Sequence, residues 1–466
     1  MTTGNHVIFM HPDGTSPSHF AFARFVDKGP DGRLNWDKMS NAGVYLGHME
    51  DQLGGTSNAG AVTHATGAKV YAESFGFELG NLPITSMSGT NKTIVEEARD
   101  AGKVTALVQS GAIFEPGTAA FVAKTQQITN GGSITVPRAQ AAEIAKQVIN
   151  SGVDFIMGGG ELNLLPVGTN GFHGTAAQLD ALSTNSLVRP TENLIELAKT
   201  KGYTVVYTEE QLNALLALPV PPTKVLGVFA PIHTFNDRPE EVLAANNLPL
   251  YLATAPTIAE MLDVTQKLME KHPNFKNGSI AIVEEEGTDN FGNNNNAAGT
   301  LEGLRRTDAA IGVAMEFIKK HPNTLMVTAA DSDAGGMQVV DPRTPGTNLG
   351  NINNNPATTA RNVPLDGQTG ANTLPFVAAP DASGDVFGFG VAWAGTPDFS
   401  GSIVSKAHGL NADKLPATLD NTKIYELMYQ YYCQTPETLL ISSRFYWVSD
   451  IFGKIGNSID VRDPIQ

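Results

Sequence analysis

The chain has 466 residues, 41% of them hydrophobic, and a formal net charge of −16. This length supports a large core, and α/β domains of this size often fold as one unit. The acidic balance argues against nucleic acid and anionic membranes as partners. One cysteine, Cys433, excludes an intrachain disulfide, and no apolar run of about 20 residues predicts a membrane span.

Short apolar runs alternate with helical patterns along the chain. The predicted strands cover 6–10, 104–108, 154–157, 280–283 and 324–327, and the predicted helices cover 93–101, 137–151, 257–271 and 300–320. This alternation predicts an α/β fold with a mostly parallel sheet covered by helices. Several acidic residues follow predicted strands, and ligand sites of such sheets lie at the carboxyl ends of the strands.

Two regions differ from this pattern. Residues 338–390 are rich in Asn, Pro, Gly and Thr and are predicted to form a surface insertion, with the role of a lid or an oligomer contact. Residues 434–466 carry several aromatic side chains and are predicted to form a C-terminal extension packed on the body.

The first two of five motifs with reactive or ligand-type side chains lie at the end of a predicted strand and at the start of a helical pattern. The first motif ends the strand at Asp13-Gly14, a pair that also forms ordinary turns. The second runs from Thr56 to Gly67, with Ser57 at the start of an alanine-rich helical pattern. A serine becomes nucleophilic when a metal or base removes its proton, and a helix start favours phosphoryl groups. Ser57 also suits a plain helix cap.

Three further motifs carry acidic, amide or hydroxyl side chains. They are Glu115 to Phe121, Val283 to Asn293, and Thr328 to Gly336 with the later Asp398 to Gly401. The fourth motif contains three consecutive glutamates, Glu284 to Glu286, at a strand end. Such glutamates are costly to bury without a cation, and a solvated loop is the alternative.

The five motifs occur in the order found in alkaline phosphatases, and the chain resembles that family over about residues 5–430. The resemblance implies a three-layer α/β sandwich with helices on both faces of the sheet and a catalytic domain over 1–433. It makes Ser57 the phosphoryl-accepting serine, with Thr56 and Asn58 beside it at the substrate.

The resemblance also implies a set of metal ligands: Asp13, Glu115, Glu284, Asp289, Asn293, Asp331, Ser332 and Asp398. Three of these, Asn293, Ser332 and Asp398, stand where the family has histidine, and none of the ten histidines falls on a ligand position. Oxygen ligands favour Mg²⁺ or Ca²⁺, then Mn²⁺, with Zn²⁺ less suited. The register of Glu284 is open by one or two positions, and a decayed site without metal is the alternative.

The family's phosphate-binding arginine falls near Ile128, so Lys124, four residues earlier, is interpreted as the replacement cation. A solvated surface lysine is the alternative. Without a bidentate clamp, a diester or another oxyanion ester becomes more suitable. His11 is interpreted as a second-shell or acid–base group and His64 as structural.

The resemblance implies metal-dependent hydrolysis of phosphate monoesters through a phosphoserine on Ser57. The alternatives are a phosphodiester or sulfate-ester hydrolase and a non-catalytic cation-binding homologue. A small phosphate ester is the expected partner, and the family favours a homodimer. The expected location is periplasmic or secreted, with the cytoplasm as the alternative because no signal-peptide pattern begins the chain.

Overall fold

The computed structural model describes residues 4–78, 80–130, 133–340, 376–401 and 403–432. The predicted extension over 434–466 and Cys433 lie outside these residues, as does the middle of the predicted insertion over 338–390. Within the described ranges, no helix has the length and apolar character needed to cross a membrane.

The strands are β1 (His6–Pro12), β2 (Asn41–Leu46), β3 (Phe77–Glu78), β4 (Leu82–Pro83), β5 (Val104–Ala112), β6 (Ile128–Asn130), β7 (Ser133–Thr135), β8 (Phe155–Gly159), β9 (Thr204–Val206), β10 (Val225–Val228), β11 (Ser279–Glu285), β12 (Thr324–Thr328), β13 (Asp333–Ala334), β14 (Gln338–Val340), β15 (Phe376–Val377), β16 (Gly388–Ala392), β17 (Asp398–Phe399), β18 (Ile403–Gly409) and β19 (Thr418–Asp420). The α-helices are α1 (Pro17–Lys28), α2 (Ser57–Thr66), α3 (Ile94–Asp100), α4 (Pro116–Ala119), α5 (Ala141–Asn150), α6 (Ala176–Leu182), α7 (Leu194–Thr200), α8 (Glu209–Ala214), α9 (Glu240–Asn246), α10 (Ile258–Lys271), α11 (Gly287–Asn293), α12 (Ala297–Lys320) and α13 (Lys423–Tyr432).

Ten strands form one large sheet in the order β19-β2-β18-β12-β1-β11-β5-β8-β10-β9. The strands from β12 to β9 in this order all run parallel to one another. β18 runs antiparallel to both of its neighbours, β12 and β2. The predicted α/β class with a large, mostly parallel sheet is therefore confirmed.

The five predicted strands all occur, because each is an apolar run long enough to form a buried strand of the sheet. β1, β5, β11 and β12 are buried at every residue. Strands covered on both faces read as continuous apolar segments, which is the pattern that predicted them.

Alternate residues of β1 face two separate hydrophobic clusters. Val7 and Phe9 belong to one cluster, which also contains residues of α2, α5, α7 and α13. Ile8 and Met10 belong to the other, which contains residues of α1, α10 and α12. The sheet is therefore the middle layer of the predicted three-layer sandwich.

The two described ends of the predicted insertion pair with each other in a small antiparallel sheet, β14-β16-β15. Phe22 of α1 packs against this sheet, with its ring centroid 4.8 Å from that of Phe376 and 6.0 Å from that of Phe389. The segment is thus packed against α1 through β15 and β16.

Candidate active site

The central strands bring acidic residues to one edge of the large sheet. Asp13 directly follows β1, Glu284 and Glu285 end β11, and Asp331 follows β12 shortly after its last residue. Because β1 lies between β11 and β12, the three strand ends are adjacent. This carboxyl edge is where open α/β sheets bind ligands.

The three consecutive glutamates at the end of β11 do not face the same way. Glu285 Oε1 accepts hydrogen bonds from Ser110 Oγ at 2.7 Å and from the Tyr251 hydroxyl at 2.9 Å. The carboxylate oxygens of Glu284 receive no hydrogen bond from the described residues. Alternation along the strand therefore separates Glu284 from Glu285, which joins a polar network of its own.

The first cluster consists of Asp13, Glu284 and Asp331, all of them buried. Asp13 Oδ2 and both Asp331 carboxylate oxygens receive no hydrogen bond from the described part of the chain. Burial, and then the neighbouring Asp331, raise the pKa of Asp13 well above its usual value. Burial raises the pKa of Glu284 to about 7. Five of the six carboxylate oxygens of the cluster thus receive no hydrogen bond from the described residues, and the sixth, Asp13 Oδ1, accepts from the Gly14 N–H at 2.9 Å.

His11 lies beside the first cluster. Its Nε2 is 3.1 Å from Asp13 Oδ1 and 3.9 Å from Glu284 Oε1, and its Nδ1 is 2.7 Å from the carbonyl oxygen of Ala329. The sequence predicts no histidine among the ligand positions. The structure places His11 beside the first cluster because His11 and Asp13 are two residues apart, at the end of an extended strand, and point the same way.

The second cluster consists of Asp289, Asn293 and Asp398, with Ser332 buried next to them. Asp289 and Asn293 share a face of α11 because they are four residues apart. Asn293 Nδ2 donates to Asp289 Oδ2 at 2.9 Å and to Asp398 Oδ1 at 3.1 Å. Burial, and then Asp398, raise the pKa of Asp289 well above its usual value. The Asn293 amide therefore only partly balances the two carboxylates.

Two glycines make room for these carboxylates. Gly14 has a φ of 62°, and a Cβ there would lie 2.5 Å from Asp289 Oδ1. A Cβ on Gly117 would overlap Glu284 Oε1. The Glu284 carboxylate therefore occupies the space that a side chain at position 117 would need.

Ser57 is the first residue of α2, with Thr56 as the helix cap. Thr56 Oγ1 donates to the carbonyl oxygen of Ala72 at 2.7 Å. Asn58 Nδ2 donates to the carbonyl oxygens of Ala72 and Ser74 at 2.9 Å and 2.8 Å. These bonds hold the start of the helix against a neighbouring loop, so both side chains have a structural use besides the predicted contact with substrate.

An arginine lies beside this serine. Arg138 Nη1 is 3.5 Å from Ser57 Oγ, and Nη2 donates to Glu115 Oε2 at 2.9 Å. Burial lowers the pKa of Arg138, but the carboxylates of Glu115 and Glu286 outweigh this effect and hold the pKa above its usual value. The side chain is 39% exposed, so the permanent charge of the guanidinium borders both Ser57 and solvent.

The sequence pattern favours Lys124 as the replacement cation and does not point to Arg138. Lys124 Nζ donates to the carbonyl oxygen of Asn91 at 2.6 Å and lies 3.4 Å from Glu96 Oε2. Its charge is therefore used near the start of α3, whereas the Arg138 guanidinium borders Ser57. One signal was available in the sequence, since Arg138 is the only arginine within 100–188.

An enzyme that hydrolyses phosphoric esters needs a nucleophile and cationic groups that balance the phosphoryl charge. The carboxyl edge of this sheet offers a serine, a guanidinium and carboxylates able to hold cations, and the chain is a phosphoric ester hydrolase. The family model described as alkaline phosphatase matches residues 4–363, and the chain belongs to the alkaline phosphatase family.

Sequence relatives agree with this assignment. The chain is 27% identical over 355 residues to an alkaline phosphatase of Escherichia fergusonii, covering 73% of this chain and 72% of the relative. It is 24% identical over 357 residues to the streptomycin-6-phosphate phosphatase of Streptomyces griseus, covering 70% and 72%.

Solved structures confirm the fold. A cold-active alkaline phosphatase from a psychrophilic Shewanella species superimposes with a TM-score of 0.64 at 20% identity, covering 92% of this chain and 100% of that one. The alkaline phosphatase of the Antarctic bacterium TAB5 gives 0.63 at 18% identity, covering 92% and 98%. A variant of the TAB5 enzyme, solved with Mg bound in its M3 site, gives 0.62 at 18% identity, covering 93% and 99%.

Proposed function

We propose that the protein hydrolyses phosphate monoesters with Ser57 as the nucleophile and with divalent cations bound by the two carboxylate clusters. One observation carries the proposal: Ser57 Oγ lies 3.5 Å from Arg138 Nη1 at the start of a helix that packs on the first cluster. A Cβ on Gly60, in the first turn of that helix, would lie 2.6 Å from Asp331 Cβ. The nucleophile thus has a permanent cation on one side and carboxylates on the other.

The two clusters fit cations. Both carboxylate oxygens of Glu284 and of Asp331, Asp13 Oδ2 and Asp289 Oδ1 are buried and receive no hydrogen bond within the described ranges. Burying so many carboxylates together is unfavourable unless positive charge compensates them. We assign one cation to the first cluster and another to the second. Such cations would lower the pKa of the serine hydroxyl and neutralise charge on the ester.

The proposed reaction has two displacements at phosphorus. Ser57 Oγ loses its proton and bonds to phosphorus, while the ester oxygen leaves and takes up a proton as the free alcohol. Water then attacks the phosphoserine, which releases phosphate and returns a proton to Ser57 Oγ. The backbone N–H groups at the start of α2 and the Arg138 guanidinium would bind the phosphoryl oxygens.

Arg138 also bears on the choice between monoesters and diesters. A dianionic monoester gains more binding energy than a diester from a bidentate guanidinium. The lack of an arginine near Ile128 alone favours the diester. Arg138 provides a guanidinium from a different segment. Glu115 Oε2 holds its Nη2 at 2.9 Å, whereas Nη1 remains on the side of Ser57. A monoester is therefore the favoured substrate class.

The test is hydrolysis of p-nitrophenyl phosphate and bis(p-nitrophenyl) phosphate by metal-stripped protein. Mg²⁺, Ca²⁺, Mn²⁺ and Zn²⁺ are added back singly, Ser57→Ala serves as the blank, and Ser40→Ala as a matched serine control. We expect cation-dependent turnover of the monoester in the wild type and in Ser40→Ala, and none above background in Ser57→Ala. Equal turnover in wild type and Ser57→Ala would contradict the assignment of Ser57 as the nucleophile. Turnover that does not depend on added cation would contradict the assignment of the metal sites.

The proposal includes a homodimer and a periplasmic or secreted location, both on the strength of the family resemblance. Light scattering of the purified chain tests the first. Fractionation of cells that produce the natural protein tests the second.

A further inference from the structure

The first cluster offers a nitrogen atom as well as oxygens. His11 is 1% exposed, and one ligand atom each from His11, Asp13 and Glu284 lie within 4.8 Å of one another. The two carboxylates contribute oxygens that receive no hydrogen bond in the described chain, Asp13 Oδ2 and both oxygens of Glu284. An unbalanced buried pocket of this kind is of the size and chemistry that a metal ion requires.

The hydrogen bond of His11 Nδ1 determines which of the two ring nitrogens carries the proton. His11 Nδ1 is 2.7 Å from the carbonyl oxygen of Ala329, and because a carbonyl oxygen only accepts hydrogen bonds, Nδ1 carries a proton. In the neutral ring, Nε2 then directs a lone pair toward Asp13 and Glu284, whose oxygens are also electron-rich. A cation between these three groups turns the arrangement from repulsive to favourable.

Gly117 allows this arrangement. A side chain there would overlap Glu284 Oε1, so a residue with a hydroxyl ligand could not coexist with the observed position of that carboxylate. The absence of a side chain at Gly117 leaves the Glu284 carboxylate room to approach His11, whose Nε2 lies 3.9 Å from Glu284 Oε1.

We propose that His11, Asp13 and Glu284 form a mixed nitrogen–oxygen site that prefers a first-row transition-metal ion, such as Mn²⁺, Co²⁺ or Zn²⁺, to Mg²⁺ or Ca²⁺. Imidazole suits transition metals, whereas Mg²⁺ and Ca²⁺ favour oxygen. The Ala329 carbonyl orients the ring, as outer-shell acceptors do for metal-bound histidine. The inference rests on the proposed function only in placing a cation in the first cluster.

The experiment uses metal-stripped full-length protein titrated separately with Co²⁺ and Mg²⁺, with affinities measured by calorimetry. Proton NMR of the Co²⁺ form detects the shifted N–H resonance of a metal-bound imidazole. His11→Gln is compared with His6→Gln, a matched control on the same strand. His6 is 2% exposed, and its Nδ1 bonds Ser279 Oγ at 2.8 Å at the far end of β1.

We expect His11→Gln to lower the ratio of Co²⁺ to Mg²⁺ affinity by at least about tenfold, the loss that even outer-shell changes cause. The shifted imidazole resonance should disappear in His11→Gln and persist in His6→Gln. An unchanged affinity ratio overturns the proposal, and so does stronger binding of both ions, which would mean that His11 is an imidazolium paired with Asp13.

The wild-type spectrum keeps the test decisive if His11→Gln does not fold, because the absence of an imidazole resonance from the wild-type Co²⁺ form also overturns the proposal. These measurements need no turnover. A wild type that shows the resonance but hydrolyses no ester would contradict the proposed function and leave the metal site standing.

Discussion

Arg138 Nη1 lies 3.5 Å from Ser57 Oγ although the two residues are 81 positions apart. The guanidinium reaches the serine from the residues just before α5, while Glu115 holds its other nitrogen at 2.9 Å. A cation held in this way is pre-oriented toward any phosphoryl group on the serine.

Replacing Arg138 with alanine should lower kcat/KM for p-nitrophenyl phosphate by about 10²-fold or more, the loss found for other preorganised donors to a reacting oxyanion. The loss for the diester should be smaller. Arg138→Lys should recover only part of the activity, because an ammonium cannot bind two oxygens side by side. Lys124→Ala is the control and should behave like the wild type; matching losses in both variants would refute the role of Arg138.

Gly117→Ala should displace the Glu284 carboxylate, because the new Cβ would overlap Glu284 Oε1. We expect weaker cation binding and a loss of about 1–3 kcal/mol in the free energy of unfolding, as for other overpacked sites. Calorimetry with Mn²⁺ and urea unfolding measure the two effects. Gly54→Ala is the matched control, since a Cβ there meets nothing within 4 Å. Wild-type cation binding in Gly117→Ala would show that Glu284 is not a ligand.

Asp13→Asn should separate the destabilisation caused by the buried carboxylate from the stabilisation that it provides by binding a cation. Without added cation the variant should be more stable than the wild type by about 1–3 kcal/mol, because one uncompensated buried charge is removed. With saturating cation the order should reverse, since ligand binding stabilises the wild type alone by about 3 kcal/mol at 100 times Kd. Melting temperatures with and without cation measure this. If the variant is less stable in both conditions, the charge repulsion inferred for the first cluster is wrong.

His6 should make the protein sensitive to mild acid. Burial, and then the nearby His321 and Lys103, lower its pKa from 6.5 to about 4. Below pH 6.5 the unfolded chain takes up a proton that the folded chain refuses, so stability is full above pH 6.5 and falls toward pH 4. The total loss is about 3 kcal/mol at 1.36 kcal/mol per pKa unit. Urea unfolding of wild type and His6→Gln from pH 8 to 4 checks this, and parallel stability curves would contradict it.

Much of the fold was predictable because its central strands are continuous apolar runs. β1, β5, β11 and β12 are buried on both faces, so the middle of each strand is an unbroken apolar run. The short strands β3, β4, β6 and β7 pair only in small two-stranded sheets. Their residues carry no periodic pattern, which is why the sequence did not predict them.

The site was predictable where its residues follow strands and helix starts, and was missed where distant segments meet. Asp13, Glu284 and Asp331 each follow an apolar strand, a local signal. Arg138 gave no such signal. The contact of Arg138 with Ser57 depends on how the segment before α5 crosses the edge of the sheet, and spacing along the chain does not encode that.

The opposite orientations of Glu284 and Glu285 make the length of this segment important for the site. Adding or deleting one residue between Ser279 and Gly287 would exchange the two carboxylates, because every side chain of a strand changes face when its register moves by one. Ser110 and Tyr251 would then lose their acceptor while the first cluster received a carboxylate from a different backbone position. This segment should therefore tolerate a substitution at many positions better than any change of its length.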